Sequence, residues 1–182
     1  MLSQNCEVLL SGTGGQGLIL AGQILAEAVV RDGKNVVQTQ SYGPEARGGA
    51  SRAEVIISNG EIDYPLVTRP DVLLAMSAEA LKKFVGKLGE NSILMVDSTH
   101  IKEIPATTAR IYKIPCSSIA RETLGKEMVA NVVALGALAA ATGVVTKESL
   151  ISALMSHIPR GTEVLNQKAL DIGWNSACQP AA

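Results

Sequence analysis

The sequence of 182 residues contains few aromatic side chains, 3% of the total, and few charged ones, 18%. Lysine and arginine number 16 against 17 aspartates and glutamates, which leaves a net charge of −1. Nucleic-acid binding usually needs a basic excess that neutralises phosphates, and rings on which bases stack. The composition therefore predicts no nucleic-acid partner. Because soluble domains usually carry about 25% charged residues, we expect other subunits to cover part of the surface, and the isolated chain to self-associate, for example as a homodimer.

Cysteine and histidine are also scarce. The cysteines are Cys6, Cys116 and Cys178, and no C-x-x-C pair occurs. Scattered cysteines of odd number argue against a disulfide framework and favour a reducing, cytoplasmic location. An iron–sulfur cluster needs about four thiolates, and His100 and His157 have no zinc-binding spacing. The chain is therefore expected to hold no metal by itself.

One segment, residues 128–145, is nearly free of charge and approaches the length of a membrane span. Most of its residues are alanine and glycine, which drive transfer into lipid far less than leucine or isoleucine does. We therefore predict a buried helix with a closely packed small-residue face and no membrane association. The first residues lack a basic and apolar leader pattern, so no targeting segment is expected.

Strand and helix patterns alternate along the chain, which is interpreted as a single domain from 1 to 182. Strands are predicted at Glu7–Ser11, Asn35–Ser41, Ser51–Ser58, Val72–Met76, Ile93–Val96 and Arg110–Ile114. Helices are predicted at Gly15–Arg31, Ser77–Leu88, Ile119–Leu124, Glu127–Ala141, Lys147–His157 and Glu163–Trp174. This order predicts an α/β fold, a three-layer Rossmann-like sandwich with a mostly parallel sheet and a helical C-terminal part. Asn59-Gly60 predicts a tight hairpin turn, so one antiparallel pair should interrupt the sheet.

A glycine loop follows the first predicted strand. The segment Gly12-Thr13-Gly14-Gly15-Gln16-Gly17 contains the G-x-G-x-x-G spacing between a strand and a helix. A helix N-terminus offers unpaired N–H groups and partial positive charge to an anion, and Gly14 would let a diphosphate approach the backbone. The alternative is that the glycines serve only a tight turn and close packing.

A nicotinamide dinucleotide site would also need an acidic residue at the end of the second strand, to hold the ribose. That strand ends at Gln40-Ser41, and Asp32 lies before it, at the wrong end. The spacing thus predicts a phosphate-binding loop but weakens the interpretation as a dinucleotide enzyme.

The second glycine-rich loop runs from Ser41 to Arg52. Arg47 could present its guanidinium to an anion, and the N–H groups of Gly48 and Gly49 could form an anion nest. The alternative for Arg47 is an ion pair with Glu45 or Glu54.

Asn131 is a polar residue in an apolar predicted helix, and Asn166 is similarly placed in the last one. A buried amide must find hydrogen-bond partners, which are backbone groups or a ligand. Cys6 and Cys116 are interpreted as small packing residues, since no histidine is their sequence neighbour.

At its two glycine loops the sequence resembles the gamma subunits of 2-oxoacid:ferredoxin oxidoreductases. The resemblance covers nearly the whole chain, as a domain similar to domain III of pyruvate ferredoxin oxidoreductase. The features that carry it are Gly12-Thr13-Gly14-Gly15-Gln16-Gly17, Tyr42-Gly43-Pro44-Glu45-Ala46-Arg47-Gly48-Gly49, Ile62-Asp63-Tyr64-Pro65 and Asn131.

The resemblance implies a subunit of an enzyme that oxidatively decarboxylates a 2-oxoacid, forms an acyl-coenzyme A and reduces ferredoxin. Thiamine diphosphate, Mg and the iron–sulfur clusters are then held by the alpha, beta and delta subunits. The isolated gamma chain is expected to be inactive, with no catalytic residue of its own. Coenzyme A contacts are implied at Gly12, Thr13, Gly14, Gly15, Gln16 and Gly17, and further at Arg47 and Asn131. Overall likeness favours 2-oxoglutarate over pyruvate or branched-chain acids.

Three alternatives stay open at this point. A subunit of an indolepyruvate oxidoreductase would share the fold. A stand-alone dinucleotide-binding oxidoreductase would use the same glycine loop, and a purely structural subunit would use it only for backbone geometry.

Overall fold

A computed structural model describes residues 5–41 and 50–177, and the strands within these ranges form one sheet. The strands are β1 (Asn5–Thr13), β2 (Asn35–Ser41), β3 (Ala50–Ser58), β4 (Val72–Ala75), β5 (Ile93–Asp97) and β6 (Arg110–Ile114). Their order is β2-β3-β1-β4-β5-β6. The neighbours β1, β4, β5 and β6 run parallel, and β3 pairs antiparallel with both β2 and β1. The predicted α/β class, with a mostly parallel sheet and an antiparallel hairpin, is confirmed.

Helices cover both faces of this sheet. They are α1 (Leu18–Arg31), α2 (Ala78–Phe84), α3 (Cys116–Ser118), α4 (Ala130–Thr142), α5 (Lys147–His157) and α6 (Glu163–Ala177). Alternate residues of β4 show the layering. Val72 and Leu74 pack into the core with α1, α4, α5 and α6, whereas Leu73 and Ala75 pack with α2 on the other side. The three-layer arrangement follows from the period of two along a strand that is buried on both faces.

The prediction of a hairpin turn at Asn59-Gly60 is wrong. No described strand follows it until β4, which pairs parallel with β1 rather than antiparallel with β3. The antiparallel partner of β3 is instead the preceding strand, β2. An Asn-Gly pair makes a hairpin only when the next segment can pair, and Pro65 and Pro70 lack the N–H groups that a ladder requires.

The first helix begins three residues later than predicted. Gly15 and Gly17 have φ values of 90° and 71°, so neither residue belongs to a right-handed helix. α1 therefore starts at Leu18, with Gly17 as its N-cap. Because glycine adopts this left-handed conformation without a Cβ penalty, the loop turns sharply from β1 into the helix.

The apolar segment 128–145 contains α4, the buried helix that its composition predicts. A Cβ atom on Gly136 would overlap the carbonyl oxygen of Leu170, and one on Gly173 would overlap that of Val133. The small-residue face therefore lets the backbones of α4 and α6 touch. No helix within residues 5–41 and 50–177 is both long and apolar enough to span a bilayer.

Candidate functional site

The carboxyl ends of β1 and β4 lie side by side in the centre of the sheet. The N–H of Met76, just after β4, donates to the carbonyl of Ser11 in β1 at 2.9 Å. From these two strands the chain departs to opposite faces, through α1 on one side and α2 on the other. Such a switch point opens a crevice at the edge of a parallel sheet, where ligands of α/β proteins bind.

A crevice of about 460 Å³ occupies this position, which we name the glycine-loop crevice. Its volume falls in the range of roughly 300–1,000 Å³ that ligand pockets show. Residues 13–16 form one wall. The other walls are formed by Met76, His100, Ser117, Glu127, Met128 and Ala130.

The glycines of the loop have different structural roles. A Cβ atom on Gly12 would overlap Gln16 Oε1 and lie 2.8 Å from Leu18 Cδ1, and one on Gly17 would lie 2.5 Å from Asn131 Nδ2. A side chain at position 12 would therefore displace Gln16 and Leu18, and one at position 17 would displace Asn131 and adopt a positive φ. A Cβ atom on Gly14 would meet no protein atom within 4 Å, and its φ lies outside the left-handed region. Within the described structure, neither packing nor backbone conformation requires glycine at position 14, where the backbone borders the crevice.

Gln16 lines the crevice but uses its amide to hold the loop. Its Oε1 accepts from the N–H of Thr13 at 2.8 Å, and its Nε2 donates to the carbonyl of Met76 at 3.1 Å. Together the two bonds connect the end of β1, at Thr13, to Met76, the residue that follows β4. Gln16 thus fixes the floor of the crevice through its side chain.

Asn131 lies behind the loop rather than in the glycine-loop crevice. The side chain is 3% exposed, and its Nδ2 donates to the carbonyl of Gly17 at 3.0 Å. Its Oδ1 accepts from the N–H of Val132 at 2.9 Å. The polar atoms of this buried amide are therefore satisfied by backbone groups, one of the two outcomes that the sequence left open.

The N-terminus of α1 is the electrostatic feature of the crevice. No side chain caps this 14-residue helix at Gly17, and its first turn contains no acidic residue. The exposed N–H groups of a helix N-terminus carry a partial positive charge that attracts anions. The N-cap Gly17 directly follows Gln16, the last loop residue that lines the crevice, and Glu127 on another wall is the acidic residue of the lining.

Sequence reasoning missed four side chains of the crevice: His100, Ser117, Glu127 and Met128. His100 and Ser117 follow the ends of β5 and β6, so the rule that ligands bind at strand carboxyl ends could have identified them. Ser117 is held in place by buried Asp97, whose Oδ2 accepts from the Ser117 hydroxyl at 2.5 Å and from its N–H at 3.1 Å.

Arg47, with the anion nest predicted at Gly48 and Gly49, lies outside the described residues. Of its two predicted ion-pair partners, Glu54 is buried in β3 and lies 3.2 Å from Arg52 Nε.

The two described cysteines are buried and protonated. Burial, with a smaller contribution from Asp71, raises the pKa of Cys6 to about 12. Burial, followed by the charge of Asp97, raises the pKa of the Cys116 thiol well above 9.0. Because the thiolate is the nucleophile and the metal ligand, both cysteines act as packing residues.

The sheet order also weakens the interpretation as a dinucleotide enzyme. β3 lies between β1 and β2, so the end of β2 is one strand further from the glycine loop than in a dinucleotide fold. Ser51 of β3 takes the adjacent position, and its hydroxyl donates to the carbonyl of Gly12 at 3.4 Å.

Comparison with known proteins identifies the family. The family model of the pyruvate ferredoxin/flavodoxin oxidoreductases matches residues 7–175. The chain belongs to this family. This oxidoreductase-family chain is 45% identical over 174 residues to 2-oxoglutarate synthase subunit KorC of Methanocaldococcus jannaschii, covering 94% of this chain and 93% of the relative. It is 31% identical over 172 residues to pyruvate synthase subunit PorC of Methanothermobacter marburgensis, covering 92% and 95%.

Solved structures agree with the fold of this oxidoreductase-family chain. The gamma subunit of the keto/oxoacid ferredoxin oxidoreductase from Geobacter sulfurreducens matches with a TM-score of 0.86 and 46% identity, over 94% of this chain and 98% of that one. The 2-oxoglutarate:ferredoxin oxidoreductase of Magnetococcus marinus, solved with 2-oxoglutarate, coenzyme A and succinyl-CoA bound, matches with a TM-score of 0.87 and 25% identity. That match covers 97% of this chain and 31% of the longer one.

Proposed function

We propose that this chain contacts coenzyme A in the glycine-loop crevice, as the gamma subunit of a 2-oxoglutarate:ferredoxin oxidoreductase. The enzyme oxidises and decarboxylates a 2-oxoacid, transfers the acyl group to the coenzyme A thiol and passes two electrons to ferredoxin. This chain is a subunit of that oxidoreductase complex, and its own residues are proposed to bind and orient coenzyme A.

The observation that carries the proposal is the open face of Gly14. A Cβ atom there would meet no protein atom within 4 Å, whereas one on Gly12 or Gly17 would displace neighbouring side chains. Close approach of a ligand to the backbone accounts for a glycine at position 14, where neither packing nor backbone conformation demands one. The uncapped N-terminus of α1 beside it suits the diphosphate of coenzyme A.

The loop residues then divide into contacts and supports. Thr13, Gly14 and Gly15 border the crevice and are proposed to meet the ligand, largely through backbone groups. Gln16 lines the crevice, while Gly12, Gly17 and Asn131 hold the loop in place from behind. For Arg47 the proposal rests on the family resemblance, as a further cation for the phosphates.

The relatives favour 2-oxoglutarate as the substrate of the complex. Four KorC subunits are 38–45% identical over 92–95% of the chain, whereas the PorC subunits reach 29–31%. Ketoisovalerate oxidoreductase subunit VorA of Methanothermobacter thermautotrophicus reaches 35% over 73% of the chain. Turnover of the complex with 2-oxoglutarate, pyruvate, ketoisovalerate and indolepyruvate separates these substrates and tests the indolepyruvate alternative.

Thiamine diphosphate, Mg and the iron–sulfur clusters are assigned to alpha, beta and delta subunits. Within residues 5–41 and 50–177, no group of three or more His, Cys, Asp or Glu side chains is arranged to hold a metal. Cys6 and Cys116 are buried thiols that do not fit a cluster. Ferredoxin would meet the complex through those partners. A cytoplasmic location and a homodimer of the isolated chain remain part of the proposal.

Purification of the complex from its host, followed by identification of the attached chains, tests the assembly. Coenzyme A and NADH are then titrated separately against the complex. We expect saturable binding of coenzyme A that is lost when the gamma chain is removed. Binding of NADH instead would support the dinucleotide alternative, and coenzyme A affinity unchanged without the gamma chain would refute the proposed contact.

A further inference from the structure

The two faces of the sheet are covered unequally. On one face α1 packs against both β2 and β3, whereas on the other α2 packs mainly against β1 and β4. Val37 of β2 pairs with Ile56 of β3, and Ile56 packs in the cluster of α2. Thr39 and Glu54 form the pair two residues along these strands, so they point to the same side. On that side no described helix forms a layer over β2 and β3.

An irregular segment, residues 61–70, covers this part of the sheet instead. The N–H of Val67 donates to Glu54 Oε2 at 3.1 Å, and the N–H groups of the next two residues donate to Glu7 Oε2 at 2.9 and 3.0 Å. Val67 also packs in the cluster of α2. Three successive N–H groups are thus held by two carboxylates, which fixes the segment on the sheet.

This fixed segment exposes two large apolar side chains. Tyr64 is 57% exposed and Leu66 is 44% exposed, and they are two of the five exposed large hydrophobic residues within the described ranges. Aromatic side chains are enriched in protein interfaces, where the ring packs and the hydroxyl forms a hydrogen bond. Their exposure on a held backbone indicates a contact surface.

Arg52 adds a cation to the same face. Its Nε lies 3.2 Å from Glu54 Oε1, and its side chain is 34% exposed although that of Glu54 is only 5% exposed. The other oxygen of Glu54 is occupied by Val67 and by the hydroxyl of Thr39, which donates at 3.3 Å. Within the part of the chain that the structure describes, Arg52 has no second carboxylate partner. Its remaining donors are therefore free for a carboxylate from outside.

The edge of the sheet beside this face is also unprotected. β2 is an edge strand, and its residues, Asn35–Ser41, include no charged residue and no proline. β6, at the other edge, contains Arg110 and Lys113. Edge strands that meet only solvent usually carry such charges, because they discourage pairing with other chains. The contrast favours a covered position for the β2 side of the sheet.

We propose that this surface, formed by Val37, Thr39, Arg52, Tyr64 and Leu66 and named the β2–β3 face, docks another subunit of the oxidoreductase. The partner would present apolar side chains to the tyrosine and the leucine and a carboxylate to the arginine. The inference rests on the assembly with other subunits that the proposed function includes. It does not depend on the coenzyme A contact.

The relatives favour a different subunit over a second copy of this chain. The match with the Magnetococcus marinus oxidoreductase covers only 31% of that longer chain, and the match with VorA covers 28% of VorA. In those chains the matching domain is therefore joined to a larger, different part. A second copy would instead have to offer Arg52 the exposed Glu61 or Asp63, and the experiment separates these two occupants.

The test measures how strongly the chain associates with the other subunits, by size-exclusion chromatography of the complex at decreasing concentration. Leu66→Glu and Tyr64→Glu should each weaken association at least tenfold, because an unpaired carboxylate would be buried in an apolar contact. The matched control is Val30→Glu on α1, on the opposite face, where the exposure of 59% equals that of Tyr64 within two percentage points. It should leave association unchanged. All three isolated variants should melt as the unmodified chain does, since the altered side chains are exposed. Unchanged association of Leu66→Glu would overturn the inference.

Arg52→Lys tests the carboxylate contact. Lysine keeps a cation beside Glu54 but lacks the planar fork of arginine. Association should weaken several-fold while the melting temperature stays the same. If association is unchanged although Leu66→Glu dissociates, the partner presents no carboxylate to Arg52 and that part of the inference is wrong.

Amide exchange of the unmodified chain gives a measurement that needs no variant. Residues 61–66 should exchange at least tenfold more slowly in the complex than in the free chain. Equal rates would contradict docking at the β2–β3 face.

The remaining outcomes identify the occupant and separate the inference from the proposed function. If Leu66→Glu dissociates a dimer of the isolated chain but not the complex, a second copy occupies the face and the inference is wrong. If the unmodified chain attaches to no other subunit, the proposed function and the inference fail together. If every variant assembles as the unmodified chain does and the complex still binds coenzyme A, only the docking assignment fails.

Discussion

Asn131 donates a hydrogen bond from its Nδ2 to the carbonyl oxygen of Gly17, across 114 residues of sequence and at 3.0 Å. The contact joins the start of α4 to the N-cap of α1. It ties the N-cap of α1 to α4, next to the loop residues that line the crevice. We therefore propose Asn131 as a positioning residue for the loop.

Replacement of Asn131 by leucine should reduce both stability and coenzyme A affinity. The variant removes one of the two donors of the Gly17 carbonyl, which still accepts from the N–H of Ala21 at 3.0 Å, and the lost hydrogen bond should cost about 1 kcal/mol. Chemical denaturation of the purified chain measures the first effect, and KM of the complex measures the second. Asn91→Leu, at an exposed position near the opposite edge of the sheet, is the control. An unchanged KM in a destabilised Asn131→Leu chain would show that the loop keeps its position without this bond.

Gly14→Val should reduce coenzyme A affinity while leaving the stability of the chain unchanged. The added side chain meets no protein atom, so the free energy of unfolding should change by no more than about 0.5 kcal/mol. If the crevice binds the ligand, KM for coenzyme A should rise about tenfold or more, equivalent to roughly 1.4 kcal/mol. Isothermal titration and thermal melting measure the two effects.

Gly86→Val provides the matched control for this variant. Gly86 lies in the 3₁₀ turn after α2, and a Cβ atom there also meets no protein atom within 4 Å. It should leave affinity unchanged. Failure of Gly14→Val to fold, with Gly86→Val folded, would instead support the purely structural role of the glycines.

Gly173→Ala should destabilise the chain strongly. Its methyl group would overlap the carbonyl oxygen of Val133, so the backbones of α4 and α6 must separate. Overpacking costs about 1–3 kcal/mol, and this contact should lie at the upper end because a backbone has no alternative rotamer. Denaturant titration against Gly86→Ala measures the difference. A melting temperature equal to that of the control would contradict the described packing of α4 on α6.

Ser117→Ala should destabilise the loop edge of the sheet. The hydroxyl donates to Asp97 at 2.5 Å, and the carboxylate is fully buried. Removing that donor leaves part of a buried charge unsatisfied, at a cost of about 1–3 kcal/mol. Ser118→Ala, whose hydroxyl bonds exposed Glu122, is the control and should cost less than about 1 kcal/mol. Equal melting temperatures for the two variants would argue against the buried contact.

The described thiols should resist alkylation. In a Cys178→Ser background, Cys6 and Cys116 should react with iodoacetamide at pH 8 only after unfolding, since the neutral buried thiol is unreactive. The pKa of Cys6 is raised from 9.0 to about 12. Its neutral form therefore contributes stability that is full below pH 9 and is lost as the pH rises towards 12. Rapid labelling of the folded chain at pH 8 would contradict this assignment.

Local patterns in the sequence determined most of the elements. Residue patterns predicted every described strand of the sheet to within a few residues. Burial on both faces gives β4 and β5 a short continuous apolar segment, whereas β3 alternates. Proline and glycine marked the loops between the helices. The glycine spacing after β1 identified the crevice, since a sharp turn into a helix needs residues that tolerate a positive φ.

Tertiary structure decided what local patterns do not encode. The pairing of β3 with β1 and β2, rather than with a strand after Asn59-Gly60, depends on which segments offer free N–H groups. The different roles of Gly12, Gly14 and Gly17 depend on which atoms surround each one. The sequence by itself thus determined where the glycine loop lies in the chain. Only the packing of distant residues decided which of its positions face the crevice, because those neighbours come from α4 and from the segment after β4.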